Sequence, residues 1–544
     1  MRTLSLVLHI KKNNSYTIHK AIPSFLSYKD KCSDYNVFIN KRFYEKFNTF
    51  GGNYAKNRFI SKKKYQMNIE ASIQTLLPIL GNTVLWISII GVIFVIIMEN
   101  KNPLKTISWV VVIYFLPFAG LILYFFFGQD IRKKRMISKR IDHQVKDRMF
   151  EKFDSSELDR IEGKAHHLIR LLQGNNHALP FAGNKIKIYT TGEEKMAELF
   201  EAIEKAIHHV HLQYFKIEDD QIGNQLLDLL ARKAKEGVKV RVIYDDAACW
   251  KVDKEFYERM KEEGIEVRGF LKVRFPIFAN KINYRNHRKV VVIDGYTGFI
   301  GGMNIADRYI HGLKWGNWRD THMKITGRAV YGLQSSFLLD WFFVDQTLVS
   351  SRDYFPEIGD YGDVTIQIAT SGPTDHWHNI MQAILFALTN AKEYIYIQTP
   401  YFLPTDSIMQ AFKACALADV DIRLMLPEDA DVPMVRSASR SFLKEIMEAG
   451  VKVYFYKKGF LHSKAIVWDD YFSTIGSTNI DFRSFEHNFE INAFMYDENT
   501  AKDLKRIFLT DQQDSIRIRL KEWIKRPLTE RCKESFCRLF SPML

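Results

Sequence analysis

Two apolar runs, Leu76 to Met98 and Ile107 to Phe127, contain no charged residue. Each has about the 20 residues a helix needs to cross a bilayer, and core helices of soluble domains rarely stay uncharged for so long. The pattern therefore predicts two membrane spans joined by a polar hairpin, Glu99 to Thr106, with Trp86, Trp109 and Tyr124 available to the interfaces. Residues 1–66 show no sustained helical or strand period and no signal-peptide core. Met67 opens the segment that leads into the first span, so residues 1–66 read as a basic extension: either translated upstream sequence before a start at Met67, or a basic tail.

From about residue 185 the pattern becomes α/β, and it occurs twice. A helix near Lys195 to His208 leads into a strand Val210 to Phe215, a helix near Asn224 to Glu236 precedes Val238 to Asp245, and Gly264 to Phe270 is a further strand. The second pass gives a helix near His378 to Asn390, a strand Tyr394 to Gln398, a helix from Ser407, then Asp421 to Leu426 and Gly450 to Tyr456. The same order in each half predicts two similar α/β domains. The resulting division is 1–66 extension, 67–130 two-helix anchor, 131–184 juxtamembrane linker, 185–352 first domain, 353–363 linker with Pro356, Gly359 and Gly362, and 364–544 second domain with an amphipathic C-terminal segment.

Charge changes the picture mainly by its distribution. Residues 1–66 hold fourteen Lys and Arg against three acids, so they carry +11 of the formal +14 and leave only +3 for the other 478 residues. A body so nearly neutral disfavours nucleic acid as partner. Arg132, Lys133, Lys134, Arg135, Lys139 and Arg140 follow the second run, whereas the hairpin offers Lys101 and Lys105. That asymmetry predicts cytoplasmic flanks, an external hairpin and a cytoplasmic location for everything after Asp130. The five cysteines fit neither a disulfide framework nor a zinc pattern and read as reduced thiols, with Cys532 and Cys537 as packing residues.

The candidate chemistry lies in a repeated stretch. His287 to Asp294 and His462 to Asp469 both read H-x-K-x-x-x-x-D, and each is followed at equal distance by G-x-x-N, Gly301 to Asn304 and Gly476 to Asn479. One such match is a weak motif; two with the same trailing spacing are not chance. Alternation on a strand would send His287 and Lys289, or His462 and Lys464, to one face, with Val290, Val292, Ile466 and Trp468 toward the core. Two histidines, two lysines and two asparagines around one point suit a phosphodiester. The lysines and asparagines stabilise its anionic oxygens, one imidazole attacks phosphorus, and the other protonates the leaving alkoxide, with no metal or cofactor required. Each imidazole needs an orienting carboxylate, for which Asp320 and Glu490, one after each motif, are the candidates. Asp320 is the less secure, because it lies farther beyond its asparagine than Glu490 does. Asp294 and Asp469, at strand ends, read as tying down backbone. His208, His209 and His211, and His376 with His378, read as strand and helix-start residues.

These residues resemble the phospholipase D superfamily, and the fuller pattern is similar to its bacterial cardiolipin synthase family: Asn283-Tyr284-Arg285-Asn286, Trp318-Arg319-Asp320, Thr399-Pro400-Tyr401-Phe402 and Arg538-Leu539-Phe540-Ser541-Pro542, with two N-terminal spans. The resemblance runs from about residue 76 to the end. It implies a catalytic set of His287, Lys289, Asp294, His462, Lys464 and Asp469, supported by Asn304, Asn479, Asp320 and Glu490. It also implies a phosphatidyl transfer between two phosphatidylglycerols through a phosphohistidine, with His287 as attacker. The implied setting is a bacterial inner membrane and its anionic lipids, which Lys272, Arg274, Phe275, Phe278 and the terminal Phe536, Leu539 and Phe540 could contact. The rival readings are a membrane-bound hydrolase, a tethered nuclease and an inactive scaffold.

Overall fold

The computed structural model describes residues 41–98, 103–124, 139–153, 163, 165–272 and 284–544. The chain divides into two compact units, Met1–Leu121 and Ile122–Leu544.

In the first unit a single helix runs Lys41–Met98. Residues 41–66 are thus helical, contrary to the absence of period in their sequence: once an apolar helix exists, adding turns at its end needs no new nucleus. Its stretch Asn57–Met98 is long and apolar enough to cross a membrane. The second apolar run differs from the expected unbroken span. It forms Pro103–Phe115 and then Pro117–Leu123, the break falling where Pro117 removes a backbone donor. The first of these pieces, 13 residues, is shorter than a crossing requires. Trp86 and Tyr114 meet edge to face at 6.5 Å. The hairpin residues 99–102, the basic run Arg132 to Arg135, and Arg274, Phe275 and Phe278 lie outside the described residues, as does Cys32.

The second unit is built on one continuous sheet made by both halves. The first half supplies β1 (Pro180–Tyr189), β2 (His209–Tyr214), β3 (Lys239–Asp245), β4 (Glu266–Phe270), β5 (Arg285–Asn286), β6 (Val290–Ile293), β7 (Thr297–Gly301), β8 (Asn317–Arg319) and β9 (His322–Thr326). The second half supplies β10 (Val364–Ser371), β11 (Tyr394–Gln398), β12 (Phe402–Leu403), β13 (Asp421–Pro427), β14 (Lys452–Tyr456), β15 (Gly459–Leu461), β16 (Ala465–Trp468), β17 (Phe472–Gly476), β18 (Ile480–Asp481), β19 (Asn488–Tyr496) and β20 (Ser515–Ile518). The large sheet runs β20-β14-β13-β11-β16-β17-β19-β10-β1-β9-β7-β6-β2-β3-β4, with β5 joined to β19; β8 with β15, and β12 with β18, form separate two-stranded sheets. Read outward from the β1–β10 pair the two halves mirror each other, so the duplication inferred from element order is also a duplication of topology.

The expectation of one buried face per motif strand is too modest, because β6 and β16 are buried on both faces. Val290 and Val292, with Ala465 and Val467, enter a core shared by the two halves. Val291 and Ile293 pack under the first half, and Ile466 and Trp468 under the second. Helices cover both faces of such a sheet, which is why its strands read as continuous apolar runs. Helix ends are fixed locally: Thr191, Asp220 and Asp253 each accept a backbone N–H of the turn they cap. Gly264 and Gly450 take left-handed φ angles of 83° and 109° just before β4 and β14. Cys537 is buried, but Cys532 is exposed rather than packed.

Candidate active site

The two motifs meet because each half reaches into the other. β5 pairs in parallel with β19, aligning Asn286 with Phe489, and β15 pairs in parallel with β8, aligning Leu461 with Arg319. The next residue of each crossing strand is the motif histidine. His287 donates its backbone N–H to Phe489 O at 2.9 Å, and His462 donates to Arg319 O at 2.7 Å. Each histidine is therefore registered beside the residue that follows its acceptor, Glu490 for His287 and Asp320 for His462.

The carboxylates are thus exchanged between halves. His287 Nδ1 lies 3.0 and 3.1 Å from the two Glu490 oxygens, and His462 Nδ1 lies 2.7 Å from Asp320 Oδ2. The sequence placed one carboxylate after each motif without indicating this exchange. Asp320 proves as closely engaged as Glu490 despite its longer spacing. An ionised carboxylate only accepts, so Nδ1 of each ring carries the proton and Nε2 keeps a lone pair. Neither Nε2 has a partner among the described residues. Lys464 Nζ also lies 2.9 Å from His462 Nδ1. A ring nitrogen already donating to Asp320 has no lone pair to offer, so the ammonium is held by the His462 carbonyl, which it also contacts. Lys289 makes the matching bond to His287 O at 2.6 Å.

The histidines and lysines precede β6 and β16 rather than lying on them, in the extended links from β5 and β15. Burial dominates their electrostatics. It lowers both imidazoles to about 4 against the opposing pull of their carboxylates, so both are neutral near pH 7. Burial also lowers Lys289 to about 7 and Lys464 to about 8. For Glu490, burial favours the neutral acid, but His287, Lys289 and Ser477 outweigh it and hold the carboxyl below its usual range. Lys464 and His462 do the same for Asp320. Lys464 acts electrostatically on both His287 and Lys289, which joins the two motifs in one field.

The motif aspartates have another use. Asp294 accepts the backbone N–H groups of Ile207, His208 and His209 at 2.8 to 2.9 Å. Asp469 accepts those of Lys392, Glu393 and Tyr394 at 2.9 to 3.2 Å. Both sit at φ 52°, a turn conformation that Asp tolerates. As their strand-end positions suggest, each ties the end of its motif strand to the start of the neighbouring strand.

Asn304 donates to Tyr309 Oη at 2.6 Å and accepts from Lys216 N at 3.2 Å, whereas Asn479 donates to Asp481 at 3.0 Å. Glycines in and beside the motif make room: a Cβ on Gly302, the residue after the motif's Gly301, would overlap Asp320 Oδ1, and one on Gly476 would overlap the Asn492 amide. At the position matching Gly302 the second half has Ser477, whose hydroxyl donates to Glu490. Ser477 was missed in sequence because it is a variable letter of the motif. Also missed were Asp340, paired with Arg288 at 2.6 Å, and Asp511, paired with Arg319 at 2.7 Å. Nothing in local pattern marks either. Trp318 and Phe460 wall His462 at 5.3 and 5.5 Å, and Phe215 lies 5.0 Å from His287. His209 and His211 are buried on β2, with His211 stacked on Phe337, and His378 precedes the helix Asn379–Asn390.

The chain is similar to known proteins over most of its length. A family model described as "Cardiolipin synthase, PLD-like domain" matches residues 199–318 and 384–512, and one described as "Phospholipase_D-nuclease N-terminal" matches 83–129. The major cardiolipin synthase ClsA of Bacillus subtilis is 39% identical over 472 residues, 84% of this chain and 97% of that protein. Cardiolipin synthase 2 of Bacillus anthracis is 39% identical over 456 residues, 83% of this chain and 89% of that protein. A phosphatidylserine synthase structure from Haemophilus influenzae shares the fold at TM-score 0.55 and 14% identity, covering 70% of this chain and 100% of that one. On the strength of these matches, the chain belongs to the bacterial cardiolipin synthase family of the phospholipase D superfamily.

Proposed function

We propose that the protein is a membrane-bound cardiolipin synthase that moves a phosphatidyl group from one phosphatidylglycerol to another and releases glycerol. The observation that carries this reading is the pair of exchanged, buried histidine–carboxylate contacts at the seam of the two motifs. His287 Nε2 attacks the phosphorus of the first lipid, and a P–N bond forms as the P–O bond to the glycerol headgroup breaks. His462, protonated once the anionic phosphodiester occupies the site, gives its Nε2 proton to the departing oxygen. A hydroxyl of the second phosphatidylglycerol then attacks phosphorus while His462 takes back a proton and the P–N bond breaks. Lys289 and Lys464 stabilise the charge on the non-bridging oxygens, while Glu490 and Asp320 hold the tautomer.

The membrane arrangement belongs to the same proposal. The helix over Asn57–Met98 is one span, and Pro103–Phe115 with Pro117–Leu123 contributes to a second, leaving the hairpin outside and the catalytic unit on the cytoplasmic face.

Expression in a cardiolipin-deficient bacterial host, followed by lipid analysis, tests the reaction. Cardiolipin should reappear, and purified protein given phosphatidylglycerol should yield cardiolipin and glycerol in equal amounts. Phosphatidic acid without cardiolipin would instead assign a hydrolase using the same residues with water as acceptor.

A further inference from the structure

The C-terminal helix Leu528–Arg538 is seated on the second half by one face only. Glu534 and Cys537 are buried on that face. Arg526 grips Glu534 through two bonds of 2.6 and 2.8 Å, and Arg538 pairs with Glu445 at 2.7 Å while lying 4.1 Å from the centre of the Phe442 ring. With a turn of about 100° per residue, Leu528, Cys532, Phe536 and Leu539 fall in one stripe on the opposite side. All are exposed, Leu528 by 69%, Phe536 by 61% and Leu539 by 74%. Ile524 before the helix and Met543 after it are also exposed. Isolated exposed apolar residues need no explanation, but an aligned row on an otherwise well-anchored helix does.

The charges beside the row indicate what covers it. Arg531 and Lys533 flank the stripe on its two sides, and Lys521 and Lys525 are exposed just ahead. None of these four pairs with a carboxylate among the described residues, and the exposed acids of this stretch are Glu522 and Glu530. An apolar stripe with basic shoulders suits the headgroup layer of an anionic bilayer: the apolar side chains enter the acyl boundary and the lysines and arginine reach the phosphates. A second copy of the chain would bring the same cations against each other.

We propose that this helix is an in-plane contact by which the catalytic unit itself rests on anionic lipid, in addition to the N-terminal helices. The contact does not depend on the reaction catalysed, so the experiment reads position rather than turnover. Full-length protein carrying Cys32→Ser is labelled at Cys532, the exposed thiol among the described cysteines, with an environment-sensitive fluorophore. It is then reconstituted into vesicles of phosphatidylglycerol and phosphatidylcholine. The label should brighten several-fold and be quenched by lipids brominated near the top of the acyl chain. Phe536→Asp with Leu539→Asp should return it to aqueous emission, and Arg531→Glu with Lys533→Glu should reduce quenching at least two-fold. Aqueous emission in the unsubstituted protein, equal quenching in pure phosphatidylcholine, or energy transfer between labelled copies in lipid-free detergent would each overturn the proposal.

Discussion

His287 and Glu490 stand 203 residues apart in the chain and 3.0 Å apart in space. The contact follows from one backbone bond, His287 N–H to Phe489 O, which fixes the register of β5 on β19 and leaves the adjacent Glu490 facing the ring. His462 and Asp320 repeat the arrangement in the opposite sense, so neither half holds a complete site.

Glu490→Gln keeps the shape of that contact and removes its charge. The amide can present N–H to Nδ1 and favour the wrong tautomer, so kcat should fall by roughly 10²- to 10⁴-fold with little change in KM. Steady-state cardiolipin formation measures this, and Asp320→Asn should behave alike. A drop confined to KM would remove the orienting role.

The roles of the two histidines separate with an activated leaving group. A phosphatidyl ester of a nitrophenol needs no proton on departure, so His462→Ala should still accumulate a phosphatidyl-enzyme and His287→Ala should not. Acid-quenched protein mass spectrometry reads the adduct; the reverse pattern would make His462 the nucleophile.

Binding of a phosphate-like anion should draw a proton into the site. Both imidazoles are lowered to about 4 by burial, and an anion beside them favours the charged form. Vanadate binding near pH 7, followed by calorimetry in buffers of different ionisation enthalpy, should therefore show net proton uptake. Uptake should be largely lost in the double variant His287→Ala, His462→Ala, and no uptake by the unsubstituted protein would contradict the acid role.

The same burial sets an acid limit on stability. A histidine whose folded pKa lies below its unfolded value binds its proton preferentially when unfolded, so stability is present above about 6.5 and declines as pH falls toward 4. Thermal midpoints across that window should fall less steeply in the double alanine variant than in the parent.

Gly302→Ala places a methyl into Asp320 Oδ1. Overpacking at such a site costs about 1–3 kcal/mol, and the displaced carboxylate should lower turnover at least ten-fold. Thermal melting and activity together distinguish this from Gly174→Ala, where a Cβ meets no neighbour within 4 Å and both should change little.

Much of this was readable along the chain. Periodicity located to within a few residues the helices and strands that it named in each half, since side chains on one face of an element must share an environment. The paired H-x-K and G-x-x-N spacings marked the candidate site, because those groups lie on the approach to one strand and on the turn after its return. The first apolar run announced a helix suited to lipid.

The sequence by itself determined that there are two alike halves, each with an imidazole, an ammonium and a carboxylate. Tertiary structure decided which carboxylate serves which imidazole. That choice rests on β5 and β15 crossing the seam to pair with strands of the other half, and pairing between distant segments leaves no period in either one. Tertiary structure likewise decided which backbone N–H groups Asp294 and Asp469 hold, and made room for Asp320 at Gly302. It also buried the histidines and lysines just ahead of the motif strands, which lowers them from their ordinary values. A buried charge is a property of everything packed around it.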